Sequence, residues 1–287
     1  MPEAAVPGGS VPEAAPATAG AAVSPGPSLA PGAVRELLRE ELLSRQLDEQ
    51  IVARYPVGRR LRILDVGTGR GLQALRLARA GHAITGLESG PELLTAAREA
   101  LAAEPAGIQE RVRLIEGDSR ETGAHFAPGS FDVVLCHGVL MSSPEPDAVL
   151  AGLARVLAPG GLLSLVVRNA DALALGPGLA GDWAGALSAL DPDTTAFTDE
   201  RTGRALRADR LDALTATLAG IAAPLHVWYG VQVFSEWADD ATLPVVTEGA
   251  RDHSPDLERL LAAEDRAGRT DPYRRTAALL HLCGVRG

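Results

Sequence analysis

The stretch Leu61 to Gly71, LRILDVGTGRG, is the strongest constraint on how this chain folds. Leu61, Ile63, Leu64 and Val66 form a short apolar run that stops at Gly67, Gly69 and Gly71, and an amphipathic segment from Leu72 to Ala80 follows. That order predicts a strand, a tight turn and a helix. Glycine lacks a Cβ and tolerates positive φ, so a ligand can lie against bare backbone in such a turn, next to the unpaired N–H groups that open the helix.

The rest of the chain repeats the alternation. Val34, Leu37, Leu38, Leu42, Leu47 and Ile51 recur at helical spacing before Tyr55-Pro56. Short apolar runs at Ala83–Leu87, Val112–Ile115, Phe131–Leu135 and Leu162–Val167 are separated by helical stretches at Pro91–Leu101 and Pro146–Leu157. Five apolar strands alternating with helices predict an α/β fold, a doubly wound and mostly parallel sheet with helices on both faces. Ligands of such folds bind at the carboxyl ends of the strands, and the glycine turn, Glu88, Asp118 and His137 all fall there.

After Asn169 the pattern loosens. Gly176–Asp193, with Trp183 in it, reads as a lid insertion; Leu225–Phe234 and Leu279–Val285 read as late strands around a helix near Leu257–Ala267. Residues 1–31, almost wholly Ala, Pro, Gly, Ser, Val and Glu, bury too little apolar surface to offset their ordering, so they predict a disordered tail before a single domain at 32–287.

Charge and cysteine content narrow the partners. A formal net charge of −10 disfavours broad binding to nucleic acid or anionic membrane, although a local basic patch overrides an average. Arg201, Arg204, Arg207 and Arg210, spaced by three, offer such a patch or else a solvated helix surface. Cys136 and Cys283 match no metal spacing and sit in apolar runs, which predicts buried inert thiols and no metal. No apolar run is long enough to span a membrane and no basic leader precedes Arg35, so a soluble cytoplasmic protein is expected.

The spacing Gly67-x-Gly69-x-Gly71 puts Leu72 where a dinucleotide fingerprint needs its third glycine. Glu88, roughly 20 residues past the turn, suits two ribose hydroxyls, since a carboxylate accepts from both. Asp65 serves either a ligand or the turn's own N–H groups. Asp118 serves either a ligand or a helix N-cap.

Taken with the LAPGG turn before the fifth strand, these residues resemble the class I S-adenosylmethionine-dependent methyltransferases, whose sheet has seven strands with an antiparallel last one. The resemblance covers about Val34 to Val285. It implies S-adenosyl-L-methionine as cofactor, its methionine part against Asp65, Gly67, Thr68, Gly69 and Gly71, its ribose on Glu88 and Ser89, and its adenine beside Asp118 and Ser119. A cationic sulfonium without pyrophosphate suits an acidic pocket.

GAVREL at Gly32, HGVL at His137, LAPGGLLSL at Leu157, RNA at Arg168, GVQVF at Gly230 and DPY at Asp271 resemble, in order and spacing, the bacterial tRNA 5-carboxymethoxyuridine methyltransferases, which esterify a carboxylate on a wobble uridine. That resemblance implies Arg35 at the cofactor carboxylate and His137 lining the pocket; as residues alone, they are equally a surface charge and a packing histidine. An ionised carboxylate attacks a methyl group without a general base, in keeping with the lack of an obvious acid–base pair, and no catalytic residue is assigned. Arg168, Asn169 and Trp183 are expected to line the acceptor site. Asp191-Pro192-Asp193 stands where that family is lysine-rich, which leaves the acceptor open between tRNA and a small-molecule metabolite. A non-catalytic module with the same fold is the further alternative.

Overall fold

A computed structural model describes residues 27–199, 203–247 and 254–287. The N-terminal segment up to residue 26, with Arg201 of the arginine row, lies outside them.

Seven strands form one sheet: β1 (Arg62–Val66), β2 (Ala83–Glu88), β3 (Val112–Glu116), β4 (Phe131–His137), β5 (Leu157–Arg168) and, after a separate two-stranded hairpin of β6 (Ala196–Thr198) and β7 (Ala205–Arg207), β8 (Leu225–Val231) and β9 (Leu279–Val285). Their order is β3-β2-β1-β4-β5-β9-β8. β1 to β5 are parallel, and β9 runs antiparallel between β5 and β8. The strand order reverses between β1 and β4, so a crevice opens there at the carboxyl edge.

Helix α1 (Pro31–Arg54) starts on a proline, which fits the first turn because its missing N–H would be unpaired anyway. Val34, Leu38, Leu42, Leu47 and Ile51 form its buried stripe. With α2 (Leu72–Arg79), α1 covers one face of the sheet through Leu47, Ile51, Ala74 and Leu77 packed on Ile63, Ile84, Val133 and Leu135. α3 (Pro91–Ala102) and the short helices α4 (Ala106–Gln109), α5 (Thr122–His125) and α6 (Val139–Ser142) follow in the connections. α7 (Pro146–Val156) packs Val149, Leu150 and Leu153 on the opposite face, against Val134, Leu163 and Leu165.

The lid segment is more regular than its sequence suggests. Two short helices, α8 (Leu175–Leu179) and α9 (Trp183–Ala189), precede the β6–β7 hairpin, and Asp182 caps α9 by accepting from the Gly185 N–H. Sequence alone missed them because α8 contains Gly176, Pro177 and Gly178, and neither helix buries a residue. α10 (Leu211–Gly220) then joins the α7 face and α11 (Pro255–Ala267) packs on the first half of α1. The last residues of the expected tail are placed rather than free, with Ser28 bridged to Thr247 and the Leu29 N–H bonded to the Val246 carbonyl.

The arginine row is corrected too. Arg207 lies in a strand, not on a helix, and pairs with Asp209; Arg210 pairs with Asp171. Acidic residues interleaved nearby neutralise both side chains, so these two add no free basic face.

Candidate active site

The turn between β1 and α2 follows the geometry its glycines demand. Gly67, Gly69 and Gly71 have φ of 70°, 57° and 80°. A Cβ on Gly67 would lie 2.2 Å from Val139 Cγ2, whereas at Gly69 the nearest atom is 4.0 Å away, so at Gly69 the backbone borders open space. Gly86 performs a related service on β2, because a Cβ there would press on Thr68 and Leu114.

Two carboxylates hold the turn. Glu88, 7% exposed, accepts from the Gly69 N–H with Oε2 (2.9 Å) and from the Gly90 N–H with Oε1 (2.8 Å). Each oxygen keeps lone-pair capacity for a further donor, which is what a ribose diol supplies. Asp65, 4% exposed, accepts from the Thr68 hydroxyl at 2.8 Å. Burial pushes its carboxyl up to about 6 against that bond, helped by the neighbouring charges of Glu40 and Glu88. Glu40, on α1, is a member of this acidic group that sequence reasoning passed over. Three carboxylates around a glycine cradle fit a ligand with an ammonium and a sulfonium, and they disfavour a pyrophosphate.

The other expected residues divide. Ser89 is exposed beside Glu88, and Ser119 is partly buried near it through the Gly117 N–H bond to the Glu88 carbonyl. Asp118 is committed locally: it accepts from the Arg120 N–H at 2.8 Å, forms an ion pair with the Arg120 guanidinium at 2.6 Å and caps the 3₁₀ turn at 119–121. That bond and charge hold its carboxyl below the usual range. His137 stands at the end of β4, one residue before Gly138 (φ 83°), and burial pushes its imidazole down to about 3, so it is neutral.

Arg35 is used differently from what the resemblance implies. Its Nε donates to the Ser235 carbonyl, one Nη to Asp240 at 2.6 Å and the other to the Ala238 carbonyl. It braces the loop after β8, because that loop brings carbonyl oxygens and a carboxylate within its reach. Asn169 is likewise spent on backbone, donating to the carbonyls of Arg275 and Ala277 and accepting from the Asp171 N–H. Trp183 is 70% exposed on α9.

Arg168 ends β5, in company the sequence did not disclose. Its Nη1 pairs with Glu236 at 2.6 Å, and its guanidinium lies 5.1 Å from the Phe197 ring and 5.6 Å from the Trp237 ring. Its Nε is buried without an acceptor among the described residues. Phe197 comes from the lid hairpin, and Glu236 and Trp237 come from the loop after β8. Glu264 on α11 fixes that loop, accepting at 2.6, 3.1 and 2.6 Å from the N–H groups of Val233, Phe234 and Ser235. A separate cavity of about 330 Å³, lined by Arg60, Arg62, Arg111 and Arg113, lies at the amino ends of β1 to β4, remote from these residues.

Comparison with known proteins agrees with this geometry. Residues 64–165, from β1 through β5, match the family described as a methyltransferase domain. The match covers about a third of the chain. Over 152 residues, 53% of the chain and 56% of the relative, it is 31% identical to the tRNA 5-carboxymethoxyuridine methyltransferase of Escherichia coli K12. Over 108 residues, 38% of the chain and 43% of the relative, it is 40% identical to a ubiquinone biosynthesis O-methyltransferase of Xanthomonas euvesicatoria. The chain thus matches about half the length of these curated relatives or less.

Among solved structures, the fold matches a putative sarcosine dimethylglycine methyltransferase of Galdieria sulphuraria (17% identity, TM-score 0.55, 91% of this chain and 92% of that one). It also matches the [4+2]-cyclase SpnF (21%, TM-score 0.52, 84% and 80%). One fold carries both chemistries, so the site residues must decide between them.

Proposed function

We propose that this protein is an S-adenosylmethionine-dependent methyltransferase acting on an oxygen nucleophile, and that its acceptor presents a carboxylate to Arg168. The observation that supports the acceptor class is the Arg168 guanidinium, flanked by two aromatic rings, anchored on Glu236 and left with a buried unpaired Nε. An arginine held by one Nη keeps the edge formed by Nε and the other Nη for a planar anion, the arrangement that recognises a carboxylate bidentately.

When bound, S-adenosylmethionine supplies the electrophilic methyl group. Glu88 would hold its ribose hydroxyls, the backbone at Gly69 would take its amino-acid part, and Asp65 with Glu40 would balance its positive charge. Arg168 would orient the attacking oxygen. A carboxylate is ionised at neutral pH, so the residues need only position and desolvate it.

The similarity to the Escherichia coli relative supports a tRNA nucleoside as carrier of that carboxylate. The neutralised Arg207 and Arg210 favour a small acid instead. Methyl-labelled cofactor incubated with total tRNA and with a metabolite extract separates the two. Label in the tRNA fraction, released as methanol by mild alkali, is the ester expected of the first; label confined to small molecules assigns the second. Alkali-stable label in either fraction overturns the carboxylate assignment, and Arg168→Met is expected to reduce kcat/KM at least 100-fold.

A further inference from the structure

Behind the site runs a line of buried polar side chains that cofactor binding does not explain. His137 Nε2 lies 2.8 Å from Ser164 Oγ, Ser164 Oγ lies 2.8 Å from His281 Nε2, and His281 Nδ1 lies 2.8 Å from the carboxamide of Gln46. Gln46, Ser164 and His281 are completely buried. The line joins α1 to β9, β5 and the end of β4.

Its hydrogen bonds are all satisfied only when they point one way. A neutral imidazole carries one N–H and a serine one O–H; if both imidazoles donated to Ser164, its buried hydroxyl hydrogen would find no acceptor among the described residues, so the direction chosen at Gln46 propagates to His137. With the Gln46 oxygen toward His281, the amide nitrogen is buried with no acceptor among the described residues. Exchanging the isosteric oxygen and nitrogen gives the amide a partner and replaces that orphaned donor by at most one unpaired oxygen, the less costly outcome. The Gln46 amide then donates to His281 Nδ1, His281 Nε2–H donates to Ser164, and the Ser164 hydroxyl donates to His137 Nε2. The remaining proton of His137 sits on Nδ1, which has no hydrogen-bond partner among the described residues, on a half-buried side chain at the carboxyl end of β4.

We infer that Gln46, His281 and Ser164 are positioning residues that hold His137 in its Nδ1–H form, a neutral donor aimed at a ligand carboxylate in the crevice. Arg39 on α1 and Arg76 on α2, the cations nearest His137, are paired with Glu36 and Glu40 and with Asp48, and Asp65 and Glu88 add further negative charge beside the site, so the neutral Nδ1–H is the donor left for a carboxylate there. The inference rests on the cofactor and acceptor reading above, but the tautomer is measured on protein without ligand, so the two fail separately.

Two-bond ¹H–¹⁵N correlation spectra of histidine-labelled protein test it. The expected pattern for His137 is a protonated Nδ1 and a lone pair on Nε2; the reverse pattern overturns the inference. Ser164→Ala is expected to give a mixture of the two tautomers. S-adenosylhomocysteine shifting the His137 Nδ1–H signal, where methylthioadenosine does not, identifies the cofactor carboxylate as recipient. A shift only on adding the nucleoside 5-carboxymethoxyuridine identifies an acceptor carboxylate. An Nδ1–H signal that neither carboxylate-bearing probe moves overturns the assigned role. Where the cofactor is the recipient, Ser164→Ala is also expected to weaken S-adenosylhomocysteine about tenfold and methylthioadenosine less than twofold; equal losses would reduce the chain to packing.

Discussion

Asp65 and Glu88 are both buried carboxylates, yet the groups around them give them different tests. Glu88 is tied by two backbone N–H groups, so Glu88→Gln loses one of these bonds and sets an amide NH₂ against a donor. A loss of roughly 1.5–3 kcal/mol is expected for a charged acceptor, a cofactor Kd about 10- to 100-fold higher by calorimetry. Asp65 has one hydroxyl donor and a carboxyl raised to about 6 by burial. A cationic ligand needs it ionised, so affinity for S-adenosylmethionine should hold above pH 6 and fall by up to tenfold per unit below it, while Asp65→Asn should bind weakly with a flat profile. Linkage runs the other way in the ligand-free protein. A raised carboxyl stabilises the fold at pH values below its unfolded value and loses that contribution as pH rises through about 6. Asp65→Asn should therefore raise the melting temperature at pH 7, in line with roughly 1–3 kcal/mol of relieved burial.

The loop after β8 tests how elements deliver side chains to the crevice. Glu264 is 1% exposed and satisfies three successive N–H groups at the residues just before Glu236 and Trp237. Glu264→Gln keeps the volume but must place an NH₂ toward one of those donors, at a cost of about 2–4 kcal/mol. A lower melting temperature is expected, together with a raised KM for the acceptor and little change in cofactor Kd; an unchanged acceptor KM would show that the loop does not position Arg168. This division also marks what the sequence disclosed. β1, β2 and the glycine turn are local, so LRILDVGTGRG and Glu88 could be read directly from adjacent residues. The set around Arg168 draws on residues 168, 197, 236 and 237, which converge only after the hairpin and β8 are placed. The carbonyls of residues 235 and 238 that Arg35 reaches lie about 200 positions away, so no local pattern could show them. Periodicity also misread the arginine row, since spacing by three says nothing about the aspartates that fold against it.

At the scale of the molecule, the acidic balance and the sheet's carboxyl-edge crevice together set how ligand binding feeds back on stability. The turn, Glu88 and α1 belong to one packed unit, so a ligand that binds only the native state stabilises the whole of it. At a free concentration 100 times Kd this amounts to about 2.7 kcal/mol. With roughly 2–4 °C per kcal/mol for a large domain, S-adenosylhomocysteine should raise the melting temperature by about 5–10 °C. The acceptor role proposed for Arg168 predicts that Arg168→Met changes the ligand-free melting temperature and leaves that increment intact. Glu88→Gln should shrink the increment at the same ligand concentration, because its ratio of ligand to Kd has fallen. An increment abolished by Arg168→Met would move Arg168 to the cofactor, and an increment absent from the wild type would remove the cofactor assignment itself.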